Sequence, residues 1–214
     1  MALTDRIDYY CERIAPEFWS EPLNAVTNAT FLVAALLAYL MWRRKTPDDT
    51  AGLLLIGIVF ATGLGSFLFH TFATRWAMLA DVIPIALFIH VYLFFALKRF
   101  LAMPWWAALA VVIGFFAASP PAAGLIAPLI GSSAGYVPAL LAIFVVGALF
   151  CRRDAKLGMQ VLQTGVVFAI SLSFRIMDEP LCGQWEIGTH FLWHILNSIV
   201  LFALMRVLIL HRAG

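Results

Sequence analysis

The chain has 214 residues, of which 63% are hydrophobic and 12% charged, with a mean hydropathy of +0.94 and a formal net charge of +2. A soluble domain carries about 25% charged residues, so this composition excludes an ordinary soluble protein and indicates an integral membrane protein surrounded by lipid. We expect no nucleic-acid partner and no obligate protein partner.

The first 22 residues carry acidic and aromatic side chains before any long apolar run begins. They lack the basic region and the short apolar region of a cleaved signal peptide. We therefore expect residues 1–22 to form an extracytoplasmic segment, residues 23–210 one transmembrane domain, and residues 211–214 a cytoplasmic tail.

The long apolar segments predict an all-α bundle of seven transmembrane helices, because a spanning helix needs roughly 20 mostly apolar residues. Residues 119–134, between the fourth and fifth segments, are apolar but contain Pro120, Pro121 and Pro128. They predict a re-entrant or surface-bound connection. The predicted spans are 23–42, 52–70, 79–97, 103–118, 135–150, 157–176 and 188–210.

The basic residues predict the orientation of this bundle. With seven spans, ten of the 14 Lys and Arg residues lie at one face, and only Arg6, Arg13, Arg75 and Arg175 lie at the other. Basic residues concentrate on the cytoplasmic side of membrane proteins. We therefore expect the N-terminus outside and the C-terminus in the cytoplasm. The compact chain with short loops is typical of a bacterial protein, so we expect an inner-membrane protein.

Five polar residues of three distant segments converge at the non-cytoplasmic face. His190 and His194 share one face of the last helix, because residues i and i+4 of a helix are neighbours. His70 ends the second span, Ser66 lies one turn before it, and Asp81 opens the third. Ionisable side chains at membrane depth tend to mark function, so this convergence predicts a functional site.

Three imidazoles suit a catalytic zinc ion, which usually keeps three protein ligands and one open position. Zinc acidifies a bound water. Asp81 could transfer the proton, and Ser66 could hydrogen-bond the water or the developing oxyanion. These residues favour hydrolysis of an amide or ester whose acyl chain lies in the membrane. An isolated histidine pair more often makes interhelical hydrogen bonds, and His90, without a partner at its depth, is expected to have a packing or hydrogen-bonding role.

The spacing of these residues resembles that of the alkaline ceramidase family, within the seven-span hydrolases that include the adiponectin receptors. The family places a serine four residues before a histidine, an aspartate eleven after it, and an HxxWH-type pair on the last helix. Ser66, His70, Asp81 and the segment His190-Phe-Leu-Trp-His194 match. Further matches near the N-terminus are Cys11, Glu12, Glu17-Phe18-Trp19, Asn24 and Asn28.

The resemblance implies a zinc-dependent amidase that cleaves ceramide into a sphingoid base and a fatty acid, with His70, His190 and His194 as zinc ligands. It also implies a calcium site in the N-terminal segment, for which Asp8, Glu12 and Glu21 are the candidates. Ile14 stands where the family has an asparagine ligand. The alternative is that these acids only solvate the segment or cap the first span.

The resemblance further implies a disulfide between Cys11 and Cys182, which both fall on the outer side where an oxidising compartment permits one. Cys151 is expected on the cytoplasmic side in its reduced form. At the end of the sixth span, Arg175 and Asp178 at i and i+3 are interpreted first as an ion pair. The alternative is that one of them contacts a lipid head group.

Two competing functions remain open at this stage. The same zinc site could hydrolyse another lipid amide or ester, since many bacteria lack ceramide. Alternatively, the chain could be a non-enzymatic receptor or transporter. A transporter is the less favoured of these, because it commonly has charges near the bilayer midplane and internal repeats, and neither is visible here.

Overall fold

The computed structural model describes residues 2–7 and 9–213, with the main chain alone at residue 213. The described part of the chain is helical and contains no strand. The helices are α1 (Pro22–Thr27), α2 (Ala29–Lys45), α3 (Thr50–Phe72), α4 (Arg75–Phe100), α5 (Trp105–Ile130), α6 (Val137–Phe150), α7 (Ala155–Leu181) and α8 (His190–Ala213), with a 3₁₀ segment at Gly131–Tyr136.

Six helical stretches of the described chain are long and apolar enough to cross a membrane. The first joins α1 and α2, since Asn28 between them keeps a helical backbone (φ −64°, ψ −19°). Another combines α5, the 3₁₀ segment and α6. The all-α fold, with helices able to cross a membrane, is therefore confirmed, whereas the count of six does not confirm the seven predicted spans.

The helices meet at two ends of the bundle. At the first, which we call the basic end, Arg99 of α4 binds Asp49 before α3, and Phe100 stacks on Phe150 of α6 at 4.3 Å between ring centroids. At the other, which we call the histidine end, Arg13 donates to the His70 carbonyl of α3. Four further elements reach the histidine end. They are the start of α4, the 3₁₀ segment, the end of α7 and the start of α8.

Residues 119–130 continue α5 and do not form the predicted connection. Pro120, Pro121 and Pro128 all lie inside α5, and only the 3₁₀ segment interrupts the helix before α6. Each proline removes one backbone donor, but membrane helices tolerate prolines because Ser or Thr side chains, neighbouring helices and local 3₁₀ adjustments satisfy the freed backbone groups. The prediction for residues 119–134 was therefore wrong for most of its length.

The N-terminal segment covers the histidine end. Its backbone pairs with the junction between α3 and α4, where Ile7 N donates to Ala73 O at 2.8 Å and Arg75 N donates to Asp5 O at 3.0 Å. The disulfide between Cys11 and Cys182 joins the same segment to the end of α7 and is confirmed. Cys151 is a free thiol at the basic end. These links hold the segment over the three histidines.

Candidate metal centre

The three histidines form a cluster that could hold a metal ion. Each of His70, His190 and His194 offers one ligand atom, and these atoms lie within 4.8 Å of one another. The residues are only 1%, 2% and 1% exposed. Among the described residues this is the one group of three or more potential ligands that meets this distance.

The orientation of His70 is set by Glu21. Its Nδ1 lies 2.5 Å from Glu21 Oε2, and its buried Nε2 has no hydrogen-bond partner in the described part of the chain. Since a carboxylate only accepts, Nδ1 carries the hydrogen and Nε2 keeps a free lone pair. Burial alone would raise the pKa of Glu21, but His70 and Arg13 lower it below its usual value, so Glu21 is ionised.

Thr27 of α1 fixes the orientation of His194 in the same way. Its hydroxyl lies 3.0 Å from His194 Nδ1 and donates to the carbonyls of Leu23 and Asn24 at 2.8 and 3.1 Å. Because its single hydrogen is engaged there, the threonine oxygen accepts from His194 Nδ1–H. The lone pair of His194 is therefore on Nε2. Metal-ligating histidines commonly donate their second nitrogen to such a partner.

His190 is held by its backbone and by its ring. Asp178 Oδ1 accepts hydrogen bonds from the backbone N–H of Thr189 at 2.6 Å and of His190 at 2.9 Å. Tyr10 stacks on the imidazole with 3.7 Å between ring centroids. The buried Nδ1 of His190 has no partner within the described residues. A metal fits this site, because buried nitrogens without partners are costly and a metal would use their lone pairs.

Ser66 and Asp81 line one cavity of about 300 Å³ together with His190 and His194. This proximity depends on Gly65, because a Cβ at that position would overlap the backbone carbonyl of Ala80. Asp81 Oδ1 is buried and without a partner among the described residues. The structure thus places Ser66 and Asp81 in one cavity with His190 and His194.

The cavity continues into an apolar groove between α4, α6, α7 and α8. Ile85, Ile89 and Tyr136 line both spaces. From there the groove follows α4 to Ala96, an axial distance of about 16 Å from Ile85 at 1.5 Å per residue. This is about half of a hydrocarbon core 30 Å thick. The other groove residues include Phe88, Leu93, Val146, Val161, Phe168, Leu201 and Leu204.

Arg175 lines the cavity and does not form the predicted ion pair with Asp178. Its Nη1 donates to Ser133 at 2.6 Å and to Ser132 at 3.1 Å, while Nη2 lies 3.5 Å from the Tyr10 hydroxyl. Asp178 is turned away because its oxygens accept from the backbone at the start of α8 and from Cys11 N. The guanidinium also lies over the rings of Tyr136 and Trp193.

Asp178 is accordingly a helix cap and not a head-group contact. Gly188 makes this possible, since its φ of +62° suits glycine and a Cβ there would overlap the Asp178 carboxylate. A carboxylate at a helix N-terminus satisfies free N–H groups and favours the helix dipole. Asp178 therefore fixes where α8, and with it His190, begins.

The predicted calcium site does not fit the described residues. Glu12 accepts from Leu23 N at 2.7 Å and Asn24 N at 2.8 Å, which caps α1. Glu21 binds Arg13 and His70. A further cation about 4 Å from the Arg13 guanidinium would be repelled by about 4 kcal/mol per unit charge at an effective dielectric constant of 20. Asp8, the third candidate, lies outside the described residues.

Several contacts of the centre were not anticipated. Tyr10, Arg13 and Thr27 surround the histidines, yet no spacing links them to His70 or His194 in the sequence. Burial raises the pKa of Tyr10 far above its usual value even though Arg175 lowers it, so its hydroxyl stays protonated. The only sequence signal for Arg13 is its position as a basic residue among the acids of the N-terminal segment.

Comparison with models of known protein families and with curated proteins found no match for this chain. The likeness to the alkaline ceramidases therefore depends on the spacing of the motifs in the sequence.

Proposed function

We propose that this protein is a zinc-dependent hydrolase that cleaves a lipid amide, ceramide or a related lipid, into an amine and a fatty acid. One observation carries the proposal: His190 and His194 of the three-histidine cluster, together with Asp81 and Ser66, line one cavity that continues into an apolar groove. A three-histidine metal site alone would be compatible with many different functions. A candidate metal site beside a carboxylate, a hydroxyl and an apolar groove suits hydrolysis of an amide whose acyl chain lies in the membrane.

His70, His190 and His194 would hold the zinc ion, which would polarise a carbonyl and acidify a water molecule. In the overall reaction a C–O bond forms to water and the amide C–N bond breaks. Asp81 accepts one proton of the water at its unpartnered Oδ1 and delivers it to the leaving nitrogen. The Ser66 hydroxyl donates a hydrogen bond to the amide oxygen, where negative charge develops.

The groove and Arg175 support a lipid as the substrate. The acyl chain lies along Ile85, Ile89 and Ala96, within apolar walls that exclude water. Arg175 faces the same cavity near the bundle end and donates to the polar head group. The groove walls do not distinguish a ceramide from another long-chain amide or ester, so a substrate panel has to include these.

We further propose seven crossings, with the N-terminus outside and the histidine end toward the periplasm of a bacterial inner membrane. Helix α6 has 14 residues, about 21 Å of helix. The six-residue 3₁₀ segment adds about 12 Å, and together they match a hydrocarbon core of about 30 Å. Contacts of the 3₁₀ segment with Arg175 and of Phe150 with Phe100 support this arrangement, because they involve opposite ends of the bundle.

The test is zinc content and hydrolysis of ceramide and other long-chain amides by detergent-purified protein, for the wild type and His190→Ala. We expect about one zinc per chain with turnover in the wild type, and loss of both in the variant. His90→Ala is the matched control, since His90 lies mid-helix in α4 with its Nδ1 near the Ala86 carbonyl.

If the protein binds zinc but hydrolyses only another amide or an ester, the proposed metal site stands and ceramide is not the substrate. Zinc without turnover of any of these lipids would favour a receptor. A wild-type protein that binds no zinc would overturn the proposal.

A further inference from the structure

We infer that the Arg13 guanidinium is a built-in cation that takes the place of a calcium ion beside the histidine centre, so that this protein needs no calcium. The inference depends on the histidines holding a metal. It does not depend on lipid hydrolysis, so the two proposals can fail separately.

The surroundings of Arg13 consist of oxygen acceptors, as the surroundings of a hard cation do. Its Nε donates to Glu21 Oε1 at 2.5 Å, and its Nη2 donates to the carbonyl of His70 at 3.0 Å. Its Nη1 donates to the carbonyls of Ala15 and Glu17 at 3.2 and 3.3 Å. One carboxylate and three carbonyls, two from the N-terminal segment and one from α3, thus converge on a single positive charge.

Burial makes this charge structurally important. Arg13 is 7% exposed and Glu21 is 3% exposed. A carboxylate buried to this extent needs a partner cation or must lose its charge. Arg13 supplies that cation permanently, because a guanidinium does not lose its proton in proteins.

The arrangement connects Arg13 to the metal centre through one residue. Glu21 uses Oε1 for Arg13 and Oε2 for His70 Nδ1. Arg13 also holds the main chain of His70 through its carbonyl. Arg13 is therefore a positioning residue: it orients the carboxylate that fixes the tautomer of His70, and it touches no ligand atom itself.

A bound calcium ion would have to compete for the same oxygens. Calcium takes six to eight oxygen ligands, whereas Glu12, the other described candidate, is engaged at the start of α1. The guanidinium binds the available oxygens with fixed geometry and is covalently part of the chain. It would bring the N-terminal segment, Glu21 and α3 together at any calcium concentration.

The experiment measures cobalt(II) affinity of the metal-free protein from the visible spectrum of the histidine-bound ion. Arg13→Gln removes the charge, and Arg13→Lys keeps it without the forked geometry. Loss of an outer-shell partner of a metal ligand typically costs about 10–100-fold in affinity. We expect a loss in this range for Arg13→Gln and a clearly smaller one for Arg13→Lys. Arg6→Gln is the matched control, because Arg6 is an exposed arginine of the same segment that donates to the Pro16 carbonyl at 2.6 Å.

The second part of the experiment uses only the wild-type protein. Calorimetric titration of the wild type with calcium should show no saturable binding, and its cobalt affinity should be the same in millimolar calcium and in a calcium chelator. Saturable calcium binding, or a cobalt affinity that rises with calcium, would overturn the inference. So would equal affinity losses in Arg13→Gln and Arg13→Lys, or no loss in either, because the charge of Arg13 would then have no role.

Discussion

Each histidine of the candidate metal centre is oriented by a different oxygen, and those oxygens come from three separate elements. Glu21 before α1 fixes His70, Thr27 in α1 fixes His194, and Asp178 in α7 fixes the backbone of His190. Such partners fix the rings and restrict which nitrogens could bind a metal. This arrangement has a free-energy cost, because an ion pair and three polar rings are buried at one end of the bundle.

Thr27 provides the cleanest test of this arrangement, since its side chain is small and uncharged. In Thr27→Val the His194 Nδ1–H loses its acceptor, and the ring is free to turn or change tautomer. We expect metal affinity to fall about 10–100-fold and the melting temperature to change little. The measurement is cobalt titration of both proteins.

Thr30→Val is the control for the threonine substitution. Thr30 donates to the Thr27 carbonyl in the neighbouring turn and does not reach a histidine, so its cobalt affinity should equal that of the wild type. Equal affinity in Thr27→Val and the wild type would show that the threonine oxygen does not orient His194.

At the residue scale the sequence identifies the candidate metal ligands better than the residues that orient them. His190 and His194 are found because a helix places i and i+4 on one face. Thr27 and Arg13 are not found, because their contacts depend on how the N-terminal segment folds back over α3. The predicted Arg175–Asp178 pair fails for a related reason: helical spacing brings residues near each other, but Asp178 has backbone donors of α8 and Cys11 within reach.

The crossing of α3 and α4 determines whether Ser66 and His70 lie near Asp81. Gly65 allows that crossing, and a Cβ there would meet the Ala80 backbone. We expect Gly65→Ala to destabilise the protein by about 1–3 kcal/mol, as overpacking does, and to reduce hydrolysis because Ser66 moves relative to Asp81. The measurements are thermal unfolding in detergent and turnover at saturating substrate.

Gly57→Ala is the matched control in the same helix, since a Cβ at Gly57 has nothing within 4 Å. Its effect should have the opposite sign, a stabilisation of up to about 1 kcal/mol from improved helix propensity. If both variants behave alike, helix propensity and not the crossing with α4 dominates at Gly65.

The basic end is held by an ion pair whose strength depends on pH. Burial alone would raise the pKa of Asp49, but Arg99, which donates to both carboxylate oxygens at 2.6 and 2.7 Å, lowers it below its usual value. A carboxyl with a lowered pKa in the folded state stabilises the protein above its unfolded pKa of about 3.9. That stability is lost as the pH falls through the folded value.

We therefore expect Asp49→Asn to lower the free energy of unfolding at neutral pH by about 1.5–3 kcal/mol, the range for hydrogen bonds to charged groups. The difference from the wild type should shrink below about pH 4. Thermal melts across the acid range measure it, with Asp48→Asn as the control because Asp48 is exposed. A difference that stays constant down to low pH would mean that the Asp49 charge is not involved.

The sequence predicts most elements but misjudges α5. Hydropathy identifies each apolar stretch, and the turn at Asp49 and the break before His190 are close to their predicted positions. Hydropathy cannot tell a helix with prolines from an apolar connection, because both consist of the same residues. Residues 119–130 have no buried side chain, so packing within the protein does not explain this helix, whereas a lipid surrounding would favour it because a helix satisfies its own backbone groups.

For the molecule as a whole, orientation and function are coupled. The cavity, the N-terminal segment and the disulfide all belong to the histidine end, whereas Arg99, Arg152, Arg153 and the free Cys151 belong to the basic end. A disulfide requires an oxidising compartment, and basic loops favour the cytoplasm. Both arguments support the proposed orientation, in which the candidate metal centre faces outward and a lipid substrate would come from the outer leaflet.

Residues 105–150 decide the number of crossings. If α5 and α6 cross separately, Ala102 and Arg152 lie on the same side, and Gly135 in the 3₁₀ segment lies on the other. Single cysteines at these positions, in a Cys151→Ser background that keeps the disulfide, can be labelled in intact cells with a membrane-impermeant thiol reagent. We expect Gly135→Cys to react from outside, and Ala102→Cys and Arg152→Cys to react only after the membrane is opened. If residues 105–150 cross once, Ala102→Cys and Arg152→Cys would differ from each other, and the N- and C-termini would then share one side.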